Sequence, residues 1–209
     1  MSKHSNISAS VIRRLPRYYR FLGELADAGV SKISSRELAE RMSLTASQIR
    51  QDLNCFGGFG QQGYGYNVAE LHAQIGSILH LNGEHKAVLI GAGNLGRAIS
   101  DHLDFAKFGF KLIGIFDRDP AVIGERIAGL EVRSAESLGE FCKENQPRMA
   151  ILCIPRDGAK NTVSTLMSCN VTAFWNYSHY DILGDFPDAV VENVHLNDSL
   201  MALSYEMGE

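Results

Sequence analysis

Residues 88–98 of this chain read VLIGAGNLGRA, in which an apolar run leads directly into a glycine loop of the form G-x-G-x-x-G. In such a loop the first glycine permits a tight turn and the second leaves room for a pyrophosphate. The third lets the following helix lie close to the strand. The phosphates would bind the free N–H groups at the start of that helix. The pattern predicts a dinucleotide site with loop residues Gly91, Ala92, Gly93, Asn94, Leu95 and Gly96.

A second apolar run, residues 110–116, ends in an acid where a ribose-binding carboxylate is expected. Asp117 follows Gly96 by 21 residues, close to the spacing of about 20 that this fingerprint shows. A carboxylate repels a 2′-phosphate, so Asp117 favours NAD(H) over NADP(H), and Arg118 beside it would soften that preference. The alternative is a domain of the same fold in which the glycine loop is only structural.

The rest of this half alternates strand and helix patterns, which indicates parallel βαβ units. Strand patterns cover residues 86–90, 110–116, 149–154, 171–175 and 190–195, with a weaker one over 127–133; helical patterns cover 95–105, 134–144 and 159–168. Residues 197–207 predict a terminal helix with an apolar stripe, Leu200, Leu203 and Met207. Such a helix usually docks on its own domain or on a partner subunit.

The first third of the chain predicts a helix-turn-helix. Residues 11–28 have helical periodicity, with Ser10 as the expected cap. Two short helices follow, because Ser34 with Glu37 and Thr45 with Gln48 each fit a capping box. The second of them carries polar side chains suited to reading base edges in a major groove: Ser47, Gln48, Arg50, Gln51, Asp52 and Asn54.

Residues 56–66 read FGGFGQQGYGY, with five glycines and four aromatics. This composition predicts a glycine-turned hairpin packed on the helices, which after a helix-turn-helix is a wing. Asn67 would cap a fourth helix. We therefore expect a winged-helix DNA-binding domain over residues 1–82, a dinucleotide-binding domain over 83–193 and a terminal helix over 194–209.

The net charge of −4 is unevenly distributed along the chain. Residues 1–80 hold nine Lys and Arg against six Asp and Glu, whereas residues 81–209 hold eleven against eighteen. The first 20 residues hold five bases and no acid. A basic N-terminal part on an acidic body indicates a phosphate-binding face, although a solvated helix face has the same composition.

Several classes of protein are disfavoured. No apolar run approaches the length of a membrane-spanning helix, and the N-terminus shows no secretion signal. Four scattered cysteines without a C-x-x-C pair fit a reduced, cytoplasmic protein. Neither a metal-binding His pair nor a triad order is visible, so we expect neither a metal site nor an enzyme.

The motifs at residues 13–20 (RRLPRYYR), 48–53 (QIRQDL), 56–66, 91–98 and 191–194 (VENV) occur together and in this order. In them the chain resembles the Rex family of redox-sensing transcriptional repressors over nearly its whole length. The resemblance implies a homodimer with a winged helix-turn-helix, a Rossmann domain and a C-terminal helix swapped under the partner. It also implies binding to an inverted-repeat operator in double-stranded DNA, release by NADH, and competition by NAD⁺ without release.

The resemblance also implies roles for individual residues. Arg50, Gln51 and Asp52 match the base-facing positions of the family, and Arg13, Arg14 and Arg17 match its phosphate-facing first helix. The wing, residues 58–63 with Phe59, Gly60, Gln61 and Gln62, matches the loop that enters the minor groove. The cofactor positions are matched by the glycine loop, by Asp117 at the adenosine ribose and by Pro155 beside the cofactor.

This chain departs from the family pattern at three places. Gln61 and Gln62 stand where the wing commonly has basic residues, which predicts a shallower salt dependence of DNA binding. His102 stands where a tyrosine often meets the nicotinamide, and His195 stands where the last strand often ends in an acid. Beside the repressor, two alternatives stay open: a DNA-binding regulator of the same fold without the NADH response, and an NAD-dependent oxidoreductase with an accessory helical domain.

Overall fold

A computed structural model of the chain describes residues 7–57, 59 and 65–208. The chain divides into two compact units, Met1–Asn82 and Gly83–Glu209. Within the described residues, every helix is too short or too polar to cross a membrane.

The N-terminal unit is built mainly from helices. In chain order its elements are α1 (Ala9–Asp27), β1 (Lys32–Ile33), α2 (Ser35–Met42), α3 (Ala46–Asn54), β2 (Tyr66–Asn67) and α4 (Val68–Ile78). Their apolar faces form one core that includes Leu15, Tyr18, Leu22, Ile49 and Ile75. The predicted helix-turn-helix is α2 and α3.

Local capping determines where these helices begin. At α2 both halves of the predicted capping box are present, Ser34 accepting from the Glu37 amide and Glu37 accepting from the Ser34 amide. At α3 Thr45 accepts from the Gln48 amide, but the Gln48 side chain is used elsewhere. Helix α1 begins after Ser8 rather than after the predicted Ser10, and the Ser8 side chain makes no capping hydrogen bond.

A small antiparallel sheet, which the sequence did not predict, pairs the end of the wing segment with the connection between α1 and α2. Lys32 pairs with Asn67 and Ile33 with Tyr66. Of the predicted wing positions, Gly58 and residues 60–63 lie outside the described residues. Phe59 is described and packs against the helical core.

The C-terminal unit is a doubly wound α/β domain. Its strands are β3 (His85–Ile90), β4 (Phe110–Asp117), β5 (Arg126–Ile127), β6 (Leu130–Ser134), β7 (Met149–Leu152), β8 (Ala173–Asn176) and β9 (Val190–Asn193). Its helices are α5 (Asn94–His102), α6 (Leu138–Asn145), α7 (Arg156–Ser168), α8 (Ile182–Asp185) and α9 (Leu196–Met207). The weak strand pattern at 127–133 corresponds to β5 and β6.

The sheet order is β5-β6-β4-β3-β7-β8-β9, with all neighbours parallel except the β5–β6 pair. Without β5 this is the strand order of a dinucleotide-binding sheet. From β3 the chain adds strands first toward one edge of the sheet, through β4 and β6, and then toward the other edge, through β7, β8 and β9, so the strand order reverses between β3 and β7. Ligands of such sheets bind at the carboxyl ends of the strands next to this reversal. The predicted parallel α/β architecture is confirmed.

The two faces of the sheet are covered unequally. On one face α6 and α7 bury a core that includes Val88, Phe116, Phe141 and Val163. On the other face an apolar groove of about 750 Å³ stays open across the amino ends of β4, β7, β8 and β9. Its lining includes Phe105, Phe108, Phe110, Met149 and Trp175.

Helix α9 is not covered by the described part of its own unit, and all of its residues are exposed. Its exposed apolar residues are Leu196, Leu200, Met201, Leu203, Tyr205 and Met207. An apolar groove and an uncovered apolar helix in one unit are surfaces of the kind that mark interaction sites.

Candidate nucleic-acid interface and dinucleotide site

The outward side of α3 is a polar surface. Ser47, Arg50, Gln51 and Asn54 are all exposed, while Ile49 and Leu53 are buried on the opposite side. The guanidinium group of Arg50 donates one hydrogen bond, from Nη1 to Oγ of Ser35 at 3.0 Å. These side chains are forked or short donors and acceptors, the types that read base edges in a major groove.

Asp52, in contrast, faces the interior of the unit and is fully buried. Its carboxylate accepts four hydrogen bonds: from Arg14 Nε at 2.6 Å and Nη2 at 2.8 Å, from the Tyr18 hydroxyl at 2.7 Å and from Gln48 Nε2 at 2.7 Å. All lone-pair sites of the carboxylate are therefore used within the protein. The network joins α3 to α1.

The predicted DNA-contact set needs a correction at these positions. Asp52 is not on the polar side of α3, because its carboxylate is buried and its bonds are all internal. Arg14 is directed into that carboxylate rather than toward a phosphate, and Gln48 is held by it as well. These three residues position the helix.

The network shifts the ionisation of its members. Burial raises the pKa of Asp52, but the hydrogen bonds from Arg14, Tyr18 and Gln48 outweigh it, and the net pKa lies below its ordinary value. Burial, together with the hydrogen bond to Asp52, raises the pKa of the Tyr18 hydroxyl. Asp52 is therefore a carboxylate and Tyr18 a neutral donor at neutral pH.

The remaining arginines of α1 differ from Arg14. Arg13 is exposed. Arg17 is exposed too, but its Nη2 donates to the carbonyl oxygen of Met42 at 2.6 Å, which fixes it over the end of α2. Of the predicted wing contacts, Gly60, Gln61 and Gln62 lie outside the described residues.

The glycine loop at the end of β3 has the shape that the fingerprint requires. Gly91 has φ +101°, and a Cβ there would lie 2.5 Å from the carbonyl oxygen of Cys153. A Cβ at Gly96 would lie 1.9 Å from the carbonyl oxygen of Gly91. At Gly93, by contrast, a Cβ would meet no heavy atom within 4 Å, so the loop is open to a ligand there.

Asp117, at the end of β4, is brought directly to this loop. Its Oδ2 accepts from the Ala92 amide at 2.5 Å and its Oδ1 accepts from the Asp119 amide at 2.9 Å. Each carboxylate oxygen can accept a second bond, so the group still has capacity for a ribose hydroxyl. Arg118 is exposed beside it.

Arg97, for which the sequence predicts no role, holds the loop in place from α5. Its Nε donates to the carbonyl oxygen of Ala92 at 3.0 Å, and its Nη2 pairs with Glu125. The Ala92 carbonyl and Glu125, which the sequence does not mark, together hold this side chain. Pro155 is the exposed N-cap residue of α7, two residues after the Cys153 carbonyl that Gly91 approaches.

Two histidines meet at the carboxyl edge of the sheet. Nδ1 of His179 lies 2.8 Å from Nδ1 of His195, and the ring centroids are 4.9 Å apart. The nitrogens are much closer than the centroids and so face each other, which suits one N–H···N bond. His195 is also the N-cap residue of α9.

His102 is not brought to this edge. It is the last residue of α5 and is exposed, roughly 12 Å along the helix axis from Asn94. Within one subunit it therefore lies away from the glycine loop. Among the described residues, no three His, Cys, Asp or Glu side chains are grouped closely enough to hold a metal ion.

Comparison with known proteins gives two family models that match successive parts of the chain. The model described as "Putative DNA-binding protein N-terminus" matches residues 6–54, and the model described as "CoA binding domain" matches residues 82–180. The first match spans α1 to α3 and the second spans the sheet from β3 to β8.

Relatives match over the full length. The chain is 51% identical to the redox-sensing transcriptional repressor Rex of Thermoanaerobacter pseudethanolicus, over 100% of this chain and 93% of that relative. It is 49% identical to the repressor of the same name from Clostridioides difficile strain 630, over 100% and 99% respectively.

Two solved structures of RSP, a Rex-family repressor, resemble this chain closely. The complex of RSP with β-NAD⁺ and operator DNA superposes with a TM-score of 0.89 at 48% identity, covering 97% of this chain and 93% of that one. The complex with β-NADH gives 0.88 at 46% identity, covering 97% and 95%.

Proposed function

The chain belongs to the Rex family of redox-sensing transcriptional repressors, and we propose that its N-terminal unit binds operator DNA while its C-terminal unit holds the NAD(H) that controls that binding. The observation that carries this function is the full-length similarity to RSP, which has been solved with operator DNA, with NAD⁺ and with NADH. The chain is a transcriptional repressor that senses the redox state of NAD(H).

The exposed side of α3 supports the DNA contact. Arg50 and Gln51 are the proposed base readers, with Ser47 and Asn54 beside them. Arg13 and Arg17 on α1 are the proposed phosphate contacts, because an exposed guanidinium at such a place positions a protein without reading sequence. Arg14, Gln48 and Asp52 act through α3 rather than on the DNA.

The glycine loop fits NAD(H), because the open space at Gly93 and the uncapped start of α5 leave room for a pyrophosphate. The amides at the start of α5 would hold the phosphates, and Asp117 would accept from the adenosine ribose and disfavour a 2′-phosphate. The bound dinucleotide acts as an effector, and its oxidation state supplies the signal. Pro155 and Arg118 line the same edge.

A homodimer with exchanged terminal helices is part of the proposal. Helix α9 exposes Leu200 and Leu203, and the groove beside Trp175 needs an apolar cover of that kind. Seating α9 of one protomer in the groove of its partner would bury both surfaces. A two-fold dimer also matches an inverted-repeat operator, because protein symmetry and operator symmetry correspond.

A repressor acts where the operator lies, so we place this one in the cytoplasm. The oxidoreductase alternative finds no support, since the full-length relatives are transcriptional repressors. The alternative of a regulator that has lost the NADH response is decided by the following experiment.

The test is operator binding measured while NADH and, separately, NAD⁺ are added. Binding of the full-length protein to a labelled inverted-repeat duplex is followed by fluorescence anisotropy at constant salt concentration. We expect release by NADH, retention with NAD⁺ alone, and a shift of the NADH midpoint to higher concentration when NAD⁺ is present. Tight binding that ignores both nucleotides would retain the DNA-binding function and contradict redox sensing.

A further inference from the structure

Two cysteines of the C-terminal unit lie together, away from the dinucleotide site. Cys142 is on α6, and Cys169 is the C-cap residue directly after α7. Both are free thiols, and both line one cavity of about 510 Å³. The cavity also presents Lys143 and Arg148.

The contacts between the two helices place these thiols over the same turn. The Cys169 thiol donates to the carbonyl oxygen of Gly139 at 3.5 Å, and Gly139 is one turn before Cys142 on α6. A Cβ at Gly139 would lie 3.5 Å from Cγ2 of Thr165, which is one turn before Cys169.

The two helices run in the same direction, because each follows a strand of the parallel sheet and returns to its amino edge. Because Gly139 and Thr165 face each other in this packing, the same register would place Cys142 and Cys169 side by side one turn later. A side chain in a helix also leans toward the preceding turn, which brings the Cys142 sulfur back toward Gly139.

The environments of the two thiols differ. Cys142 is 1% exposed, and burial, with a smaller effect of the neighbouring Cys169, raises its pKa to about 11. It therefore stays a thiol and is a poor first nucleophile. Cys169 is only partly buried, so it is the sulfur that a small oxidant entering the cavity reaches.

We propose that Cys142 and Cys169 form a dithiol that hydrogen peroxide converts into a disulfide joining α6 to α7. The Cys169 sulfur attacks the peroxide, an S–O bond forms as the O–O bond breaks, and the departing oxygen leaves as water with the thiol proton. The Cys142 sulfur then attacks the sulfenic sulfur, and the S–O bond breaks as the S–S bond forms. The hydroxide leaves with the Cys142 proton as a second water, so two thiols are oxidised and one peroxide is reduced.

This site is separate from the dinucleotide site. The cavity lies where α6 and α7 end, at the amino edge of the sheet, whereas the glycine loop and Asp117 are at the carboxyl edge. Neither Cys55 nor Cys153 lines the cavity. The disulfide therefore forms whether or not NADH is bound.

The test is a thiol map of the full-length protein. Reduced protein is treated with hydrogen peroxide, quenched, denatured and alkylated, and its peptides are analysed by mass spectrometry. We expect loss of alkylation at Cys142 and Cys169 together, and a cross-linked peptide that contains both. Full alkylation of both residues after treatment, or a disulfide between other cysteines, would overturn the proposal.

Three variants separate the steps. In Cys142→Ser a dimedone probe should trap a sulfenic acid at Cys169. Cys142→Ala is a second variant with the same expected result, for the case that serine disturbs the core. In Cys169→Ser, Cys142 should stay alkylatable after peroxide treatment. Cys55→Ser is the matched control and should form the disulfide as the parent does. Absence of the dimedone adduct in both Cys142 variants would contradict attack by Cys169.

Discussion

Arg14 holds the buried carboxylate of Asp52 with two hydrogen bonds, from Nε at 2.6 Å and from Nη2 at 2.8 Å. The pair connects α1 with α3, the helix that carries the proposed base readers. Since the guanidinium fork matches the carboxylate in a bidentate way, it fixes an angle as well as a distance. The contact between α1 and Asp52, on the buried side of α3, therefore sets the orientation of the helix that carries Arg50 and Gln51.

Removing the Asp52 carboxylate is expected to destabilise the N-terminal unit. Asp52→Ala leaves Arg14 and Tyr18 without their acceptor in a buried place, which costs about 3 kcal/mol in the free energy of unfolding. The measurement is urea denaturation followed by circular dichroism. Gln51→Ala, at an exposed neighbouring position, is the control and should change stability by less than about 0.5 kcal/mol. Equal stability of the two variants would refute a structural role for the network.

The stabilisation by Asp52 should depend on pH in a definite direction. Because the hydrogen bonds lower its pKa in the folded protein, its contribution is complete above the unfolded value of about 4 and is lost as the pH falls. The difference in unfolding free energy between the parent and Asp52→Asn should therefore narrow below about pH 4. Urea denaturation of both proteins across that range measures it, and a gap that stays constant would contradict the lowered pKa.

The two kinds of arginine should give different binding defects. Arg50→Ala should reduce the preference for the operator over random DNA by about 1–3 kcal/mol, because it removes a proposed base contact. Arg13→Ala should weaken binding to both duplexes alike and reduce the slope against log salt concentration by about one. Anisotropy titrations on both duplexes at several salt concentrations distinguish them. If both variants lost the same amount on both duplexes, the proposed division of roles would fail.

Asp117 should matter for the nucleotide and not for the operator. Asp117→Arg is expected to weaken NADH binding by at least about tenfold, since it removes the proposed ribose acceptor and the anchor of the Ala92 amide. Operator binding without nucleotide should be unchanged. Asp119→Arg, an exposed acid two residues away, is the control. NADH fluorescence titration gives the affinity, and an unaltered NADH response of Asp117→Arg would show the ribose acid to be elsewhere.

Helix α9 should control the oligomeric state. Leu200→Asp removes two leucines from the proposed dimer interface, one in each protomer. At about 1.5–3 kcal/mol each, the dissociation constant should rise at least about a hundredfold. Leu183→Asp, at an exposed position on α8 outside the groove, is the matched control. Light scattering across a dilution series gives the masses, and an unchanged dimer in Leu200→Asp would argue against the exchanged helix.

Short-range patterns were enough for most of the fold. The glycine loop, the acid 21 residues later and the alternation of strand and helix predicted the doubly wound sheet, and the Ser34 capping box predicted the start of α2. The strand pair of Lys32–Ile33 with Tyr66–Asn67 was not predicted, since two residues are too short to show a period.

The proposed DNA surface was predicted only in part. As a charged residue Asp52 is predicted to lie on the polar side, but it stands three residues after Ile49 and so shares the buried stripe. The helical period contained this information. What it did not contain was the partner, because Arg14 is distant in sequence and reaches Asp52 only when α1 packs on α3.

The sequence by itself determined the helices, the strands, the glycine loop and the residue types available for DNA and nucleotide contacts, because caps, periodicity and loop glycines act over a few residues. Tertiary structure alone decided which polar groups are hydrogen-bonded inside the protein and which remain free to bind ligands. Arg14 and Arg13 are adjacent in the chain, yet one is bound to a buried carboxylate and the other is exposed. Cys142 and Cys169 likewise line one cavity only because parallel strands set their helices side by side. Packing brings distant residues together, and burial then forces each polar group to find its partner there.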